Sequence, residues 1–443
     1  MSERVAIIGA GLAGSEAALL LGRMGIPVSL YEMRPQTRTP AHKTDLPAEL
    51  VCSNSLKSME LPSAHGLLKK ELQTLGSPLL DMAIDNRIPA GSALAVDRTL
   101  FSEAVLQQIE ACEYITMHRL ELSAPPEGHE YCIIAAGPLV SDPLVRWLQD
   151  VASSQALSFY DAIAPIVSLD SINTGIAFYA ARWEEESTDY LNCPFDEEEY
   201  RLFYDALVEA DRVKAREFED KRFFEACLPV EVVAGRGYDA LRFGTLRPIG
   251  LTDPRTGKRP FAVCQLRRET ASGESWGLVG FQTRLNIAEQ RRVFCLIPGL
   301  QQAEFLRFGS IHRNTYIHSP LVVAEDLSIQ AKDSCFVAGQ LCGNEGYTES
   351  IATGHLAARF VAGRIGRRSI SPPPSTTALG ALLEYVTSSS QKPFVPSNIN
   401  FGLLQPLEKT GRKKINKAQK KEMLCTRALE HIRQWADENG LCI

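Results

Sequence analysis

The chain has 443 residues, of which 45% are hydrophobic and 23% are charged, and its formal net charge is −6 at pH 7. This composition predicts a globular protein with a core for about two or three domains, and the net charge alone argues against a nucleic-acid partner. The sequence shows no membrane-spanning run and no signal peptide, so we expect a cytoplasmic location. The 11 cysteines form no CxxC pair and no Cys/His spacing suited to zinc, so we expect neither a disulfide framework nor a metal site.

The first predicted elements form a dinucleotide-binding fingerprint. Residues 5–8 are an unbroken apolar run, which predicts a strand buried on both faces, and a glycine-rich turn and a helix follow. In the turn, Gly9 permits the tight bend, Gly11 lets a pyrophosphate touch the backbone, and Gly14 lets helix and strand pack closely. A second strand ends on Glu32, where a carboxylate accepts the ribose hydroxyls of FAD or NAD. The predicted cofactor-binding residues of the turn are Gly9, Ala10, Gly11, Leu12, Ala13 and Gly14.

Two later segments favour FAD over NAD. Residues 131–137 predict a buried strand that ends in small residues, and residues 335–340 predict a late strand that ends at Gly339 and Gln340 before a helix over 350–361. Flavoproteins use such a late strand and helix, since the helix N-terminus can stabilise the anion of a reduced flavin. The three strands must converge on one sheet. We therefore predict an α/β fold with a Rossmann-type FAD-binding domain of the glutathione-reductase-like kind.

The predicted FAD-binding domain is discontinuous, because its strands flank a long segment of different polarity. We assign residues 1–180 and 311–370 to it, and residues 181–310 to an inserted α+β domain for the substrate. Residues 371–443, which begin with a proline-rich connector, form a basic helical C-terminal appendage that packs on the FAD-binding domain. Residues 235–240 could be a second fingerprint for NAD(P)H, but their basic continuation favours a loop.

Two basic stretches stand out from the acidic background. Between residues 236 and 268 there are eight Lys and Arg residues against two Asp, and between 409 and 421 there are seven with no acid. Such stretches concentrate phosphate contacts, although a solvated surface is the ordinary alternative for each. Two of them on one acidic chain favour a polyanionic substrate. The candidate RNA-binding residues are Arg242, Arg247, Lys413, Lys414, Lys417, Lys420 and Lys421.

Two cysteines are candidates for catalysis. Cys52 lies in a polar segment over 49–57 that predicts a loop and a helix cap rather than core. Cys227 follows the cations at 221–222, which could favour a thiolate, although the negative end of a helix would oppose it. A structural role in the core is the alternative for both.

Several segments together resemble the folate- and FAD-dependent tRNA uracil-5-methyltransferases. The similarity spans nearly the whole chain, and the cysteine segment is its most diagnostic part. Two residues depart from the family pattern, namely Pro47, where Phe is usual, and Thr245, where Pro is usual, and both concern local loop shape. The segments that carry the resemblance are 9–14, 31–35, 49–57, 241–251 and 339–350.

The resemblance implies methylation of the T-loop uridine of tRNA at position 54. Methylenetetrahydrofolate would donate the carbon, FADH2 the electrons, and NAD(P)H would regenerate the reduced flavin. The two functional cysteines of the family correspond to Cys52 and Cys227. Cys227 would attack uracil C6 and Cys52 would hold or relay the methylene beside the flavin, with the reverse assignment as the alternative. The resemblance adds Arg34 and Tyr347 to the predicted cofactor-binding residues. Tyr347 would stack on the pterin or flavin, or it would pack in the core. We expect no membrane association and no stable protein partner.

Three alternatives remain at this point. A related FAD protein class modifies the wobble uridine of tRNA, but it is not expected to carry the Cys52 segment. An NAD(P)H-dependent flavin reductase would need a CxxC pair or a convincing second fingerprint. A non-catalytic tRNA-binding or folding factor would keep FAD as structural filler, and its activities would survive removal of either cysteine.

Overall fold

A mostly parallel sheet organises the first part of the fold. The computed structural model describes residues 4–39, 41–152, 157–213, 228–270, 272–388, 394–408 and 416–441. All neighbouring pairs in this sheet are parallel except the first. Its order is β16 (Ser328–Ile329), β17 (Lys332–Val337), β7 (Tyr131–Ile134), β1 (Val5–Ile8), β2 (Val28–Glu32) and β6 (Ile115–Arg119). The fingerprint, middle and late strands are adjacent, so the prediction that they converge on one sheet is confirmed.

A second sheet is antiparallel and lies between the segments of the first in sequence. It carries its own hydrophobic core, which is centred on Trp276, Phe203 and Phe281. Its order is β10 (Phe178–Tyr179), β11 (Tyr190–Phe195), β12 (Ala262–Arg268), β13 (Ser275–Leu278), β9 (Ile166–Ser168) and β14 (Phe305–Arg307). Because β9 precedes residue 181, this sheet begins earlier in the chain than the predicted inserted domain. The exact domain boundaries stay a prediction.

Two small sheets complete the strand structure. An antiparallel ribbon of β8 (Leu157–Ile163) and β15 (Ser310–Tyr316) forms where the chain enters and leaves the second sheet. The other sheet follows the Cys52 segment and has the order β3 (Ser55–Ser58), β5 (Ala93–Val96) and β4 (Arg87–Ile88).

The helices lie mainly against the first sheet, and α1 packs along α10. Their bounds are α1 (Leu12–Arg23), α2 (Ala64–Thr74), α3 (Pro78–Asp85), α4 (Arg98–Ala111), α5 (Asp142–Ala152), α6 (Glu197–Glu209), α7 (Val230–Ala234), α8 (Ala240–Phe243), α9 (Ile287–Phe294), α10 (Tyr347–Ile365), α11 (Ala378–Ser388) and α12 (Lys417–Glu438). The basic helix α12 packs on α2, and its apolar residues join the core of the first sheet. Within the described ranges, no helix combines the length and the apolar character needed to cross a membrane.

Two predicted local features have a clear outcome. The late helix, expected over 350–361, begins three residues earlier at Tyr347, because Gly346 with φ of 112° provides the turn before it. The possible second fingerprint at 235–240 follows helix α7 and leads into α8, with no strand before it. The prediction that this segment is a loop is confirmed.

Helices α1 and α10 approach so closely that their contact tolerates only glycine at position 354. A Cβ on Gly354 would lie 2.3 Å from the carbonyl oxygen of Ala13. We expect Gly354→Ala to lower the free energy of unfolding by about 3 kcal/mol, because helix backbones must move apart. Urea denaturation measures this change. Gly366→Ala is the matched control, since its Cβ would lie 3.4 Å from the nearest atom, and equal effects of the two variants would contradict the prediction.

Candidate functional site

A cleft lies at the carboxyl edge of the parallel sheet, where β1, β2, β7 and β17 end. This is the edge at which open α/β sheets bind nucleotides. The cleft is partly open to solvent. It is lined by nine of the predicted cofactor residues, which are Gly9, Gly11, Leu12, Ala13, Glu32, Arg34, Gly339, Gln340 and Tyr347. Ala10 and Gly14 belong to the same turn but lie behind its open surface.

The glycines of the turn have different geometries. Gly9 has a φ of 101°, which favours glycine, and a Cβ on Gly14 would lie 1.8 Å from the Gly9 carbonyl oxygen. A Cβ on Gly11 would meet no atom within 4 Å, so its open side faces the cleft. Gly11 is also the N-cap of α1 and has no side chain to occupy the first N–H groups of the helix. The turn thus presents a helix N-terminus that can bind an anion.

Glu32 is held in a buried hydrogen-bond network at the end of β2. Its carboxylate accepts from Ala10 N at 3.0 Å, from Arg34 N at 3.1 Å and from Arg34 Nε at 2.8 Å. Burial by itself would raise the pKa of Glu32, but the hydrogen bonds and charge of Arg34 outweigh it and hold that pKa below its ordinary value. Arg34 also donates to Glu49 Oε2 at 3.1 Å. Glu32 is therefore an oriented, ionised acceptor.

The Cys52 loop rests on Tyr347, which also lines the cleft. The backbone N–H groups of Cys52 and Ser53 donate to Tyr347 Oη at 2.8 and 3.1 Å. Tyr347 is the first residue of α10, and burial raises its pKa, so the side chain stays a neutral phenol. Cys52 is half-buried and has a free thiol. The tyrosine thus connects the cysteine loop directly to the nucleotide cleft.

Arginines distant in sequence hold the carbonyl groups of the same loop. Arg98 Nη1 donates to Leu50 O at 2.7 Å, and its Nε donates to Glu269 at 3.0 Å. The guanidinium of Arg307 donates to Val51 O and to Cys52 O, each at 3.3 Å. Burial lowers the pKa of Arg307 to about 10, which still leaves it charged at neutral pH.

The second sheet also contacts the loop through Arg267 of β12. Arg267 Nε donates to Asn54 Oδ1 at 3.0 Å, and its Nη2 donates to Ser53 Oγ at 3.4 Å. Asn54 in turn donates to Arg268 O at 2.9 Å. The cysteine loop therefore lies between the cleft of the first sheet and the strands of the second.

The candidate RNA-binding residues have different surroundings. Arg242 forms an ion pair with Asp239 at 2.5 Å and lies 3.6 Å from the ring centre of Phe261, whereas Arg247 is exposed. On α12, Lys417 and Lys420 are exposed and Lys421 lies over the ring of Phe401. The candidate residues that lie outside the described residues are Cys227, Lys413 and Lys414. All of these assignments stay predictions.

Arg98 and Arg307 belong to this site although no sequence motif predicts it. Each is an isolated arginine whose partners lie 48 or 255 to 256 residues away, so no local motif marks it. Glu49 and Asn54 lie in segment 49–57, which carries the family resemblance. That resemblance is the sequence signal that could identify them as site residues. In the sequence, Arg267 is one of the cations of the basic stretch over 236–268. In the structure, its side chain binds the cysteine loop.

The fold and the cleft define an FAD-binding α/β protein of the Rossmann type. Among solved structures, the chain is similar to GidA from Aquifex aeolicus, with a TM-score of 0.69 and 14% identity, over 99% of this chain and 75% of that one. At this identity the likeness concerns the fold alone. The family described as Glucose inhibited division protein A matches residues 4–369.

Several relatives carry the name methylenetetrahydrofolate--tRNA-(uracil-5-)-methyltransferase TrmFO. The one from Desulforudis audaxviator is 47% identical over 99% of this chain and 100% of its own. The one from Aquifex aeolicus is 48% identical over 100% and 98%, and the one from Moorella thermoacetica is 50% identical over 97% and 98%. The chain therefore belongs to the glucose inhibited division protein A family and to the family of these methyltransferases.

Proposed function

We propose that this chain is a tRNA methyltransferase that forms 5-methyluridine at position 54 of the T-loop. Methylenetetrahydrofolate is the carbon donor, FADH2 is the reductant, and NAD(P)H regenerates the reduced flavin in the cytoplasm. One observation above all supports the proposal: Tyr347 both lines the nucleotide cleft and binds the backbone of Cys52, so the loop that carries this free thiol adjoins the proposed flavin site. The relatives named for this reaction share 47 to 50% of their residues with the chain.

The residues of the cleft fit FAD. The open side of Gly11 leaves room for the pyrophosphate, which would accept from the first N–H groups of α1. Glu32 would accept the ribose hydroxyls, and Gly339 and Gln340 line the same cleft after β17. Bound there and reduced to FADH2, the flavin would supply the hydride that converts a methylene group into a methyl group.

We assign a different covalent step to each of the two cysteines. Uracil C5 is a poor nucleophile, so we assign to Cys227 the addition of a thiolate at C6, which generates an enolate that bonds through C5 to the methylene carbon. Loss of the C5 proton, expulsion of tetrahydrofolate, hydride addition to the methylene and expulsion of the thiolate then give 5-methyluridine. Cys52 would hold or relay the methylene beside the flavin. Arg307 supports this position, because its guanidinium fixes the carbonyl of Cys52 and brings positive charge to the loop.

Two alternatives have less support. The relatives at 47 to 50% identity are named for uracil-5 methylation, so wobble-uridine modification has less support. A flavin reductase would need a second nucleotide fingerprint, and residues 235–240 lie between two short helices.

A labelled-carbon assay tests the proposed function. Purified holoenzyme is incubated with unmodified tRNA transcript, NAD(P)H and methylenetetrahydrofolate labelled in its methylene carbon, in parallel with labelled S-adenosylmethionine. We expect label in 5-methyluridine only with the folate, and none in a transcript with cytidine at position 54. Bound flavin without any transfer would refute the proposal, and label at the wobble uridine would favour the related class.

Removal of the Tyr347 hydroxyl tests its positioning role. We expect Tyr347→Phe to lower the rate of methyl transfer roughly 10- to 100-fold with flavin still bound, because the N–H groups of Cys52 and Ser53 lose their acceptor and the loop moves. Single-turnover kinetics measures the rate. Tyr385→Phe is the control, since it removes another part-buried hydroxyl, bonded to Val395 O. Unchanged transfer by Tyr347→Phe would show that the contact has no catalytic importance.

A further inference from the structure

An exposed tryptophan marks a surface of the second sheet that the proposed chemistry does not use. Trp183 is 78% exposed, has a φ of 70°, and donates its backbone N–H to Gly250 O at 2.8 Å. A Cβ on Gly250 would lie 2.8 to 3.1 Å from three atoms of the indole, so the ring packs directly on the Gly250 backbone. The backbone supports the ring on this side, and most of the remaining indole surface faces solvent.

Arg182 directly precedes this tryptophan in the chain, and the charge of Arg247 acts on Arg182. Arg182 donates to Ile249 O at 2.7 Å and to Gln265 Oε1 at 2.9 Å, so its guanidinium is fixed. Burial and the nearby charge of Arg247 lower the pKa of Arg182. In the described part of the chain, neither arginine forms an ion pair with a carboxylate. A pair of guanidinium groups without a carboxylate partner provides strong donors for phosphate oxygens.

Side chains on one face of the second sheet contact both Arg182 and the cysteine loop. Gln265 and Arg267 are two residues apart on β12 and therefore point to one face. Gln265 accepts from Arg182, while Arg267 donates to Asn54 and Ser53 beside Cys52. A bound polymer that extends along this face from Trp183 would therefore approach Cys52.

The charge pattern indicates what kind of partner fits. The exposed carboxylates of Glu184, Glu185 and Glu186 directly follow Trp183 and would repel phosphate on their side. A polyanion would then bind most favourably where the arginines offset these carboxylates. Unpaired bases of RNA stack on exposed aromatic rings, and guanidinium groups bind the adjoining phosphates. An acidic peptide could form ion pairs with the arginines, but it has no base that could stack on the indole.

We propose that Trp183 stacks on an unpaired base of the tRNA substrate while Arg182 and Arg247 bind the adjoining phosphates. The proposal rests on the proposed function, because it assumes that tRNA is the substrate. Trp183, Arg182 and Arg247 would form a tRNA-binding surface on the second sheet, in addition to the site at Cys52.

The test is the affinity of the holoenzyme for unmodified tRNA transcript. We expect Trp183→Ala to raise the Kd roughly 5- to 150-fold, and Trp183→Tyr to restore most of the affinity because a phenol ring also stacks. Arg247→Ala should reduce the slope of log Kd against log salt by about one, since one phosphate contact is lost. Leu321→Ala is the matched control, because Leu321 is 70% exposed and apolar but lies in the first part of the fold, and its Kd should not change.

A second readout distinguishes stacking from a structural role. Bound tRNA should protect Trp183 from acrylamide quenching, and this protection should disappear in Trp183→Tyr, whose other tryptophans are buried or half-buried. A wild-type protein that methylates tRNA while Trp183→Ala keeps the wild-type Kd would overturn the proposal. Equal weakening by Leu321→Ala would also overturn it. Absence of folate-dependent transfer by the wild type is a different result, and it would refute the proposed function instead.

Discussion

Replacement of Cys52 by alanine is expected to lower methyl transfer at least about 10³-fold while FAD stays bound, as expected when a covalent group is removed from a catalytic unit. The thiol belongs to a loop whose N–H and carbonyl groups are held by Tyr347 and Arg307, and none of these contacts uses the sulfur. The loop should therefore keep its position in the variant. Single-turnover transfer of labelled carbon, together with the flavin absorbance of the purified variant, measures the two quantities separately.

The control for this prediction is a second free thiol. Cys112 is also partly exposed, but it lies after α4, and Cys112→Ala should transfer carbon at a rate close to that of the wild type. Full activity of Cys52→Ala would contradict the assignment and would favour a non-catalytic tRNA-binding factor. Loss of flavin in Cys52→Ala would instead assign the residue to cofactor binding.

Substitution of Gly11 by valine is expected to weaken FAD binding roughly 10- to 100-fold, which corresponds to a steric cost of about 1.4 to 2.8 kcal/mol. In the protein without FAD, a Cβ at this position meets no atom within 4 Å, so the side chain would occupy only the space proposed for the pyrophosphate. The free energy of unfolding of the flavin-stripped variant should lie within about 1 kcal/mol of wild type. Titration of stripped protein with FAD measures the affinity.

Gly14→Ala provides the contrast to this variant. Its Cβ would lie 1.8 Å from the Gly9 carbonyl oxygen, so this variant should lose stability even without FAD. A Gly11→Val protein that binds FAD as tightly as the wild type would show that the cofactor does not lie over this turn.

The nucleotide-binding half of the fold could be predicted because its signals are local. A buried parallel strand needs a continuous apolar run, and the turn after β1 needs glycine where φ is positive or where backbones touch, so residues 5–14 determine their own conformation. The late strand carried a similar local pattern. The first sheet therefore has the predicted strands next to one another.

The surroundings of Cys52 could not be predicted because they depend on contacts between distant segments. Tyr347 is 295 residues from Cys52 in sequence, and Arg307 is 255 residues away. A lone arginine or tyrosine carries no periodicity that would reveal its partner. For the same reason, the basic stretch over 236–268 does not show that the Arg267 guanidinium binds Asn54, which lies 213 residues away.

The central claim is that a methylene group from folate becomes a methyl group by reduction on this protein. The most direct test is the mass of the 5-methyluridine formed from unlabelled methylenetetrahydrofolate in D2O. In the proposed reaction, two hydrogens of the new methyl group would come from the folate methylene, and the third would come from an exchangeable N–H of the reduced flavin. We therefore expect a methyl group with one deuterium at position 54. A methyl group without deuterium, or one that appears only with S-adenosylmethionine, would contradict it.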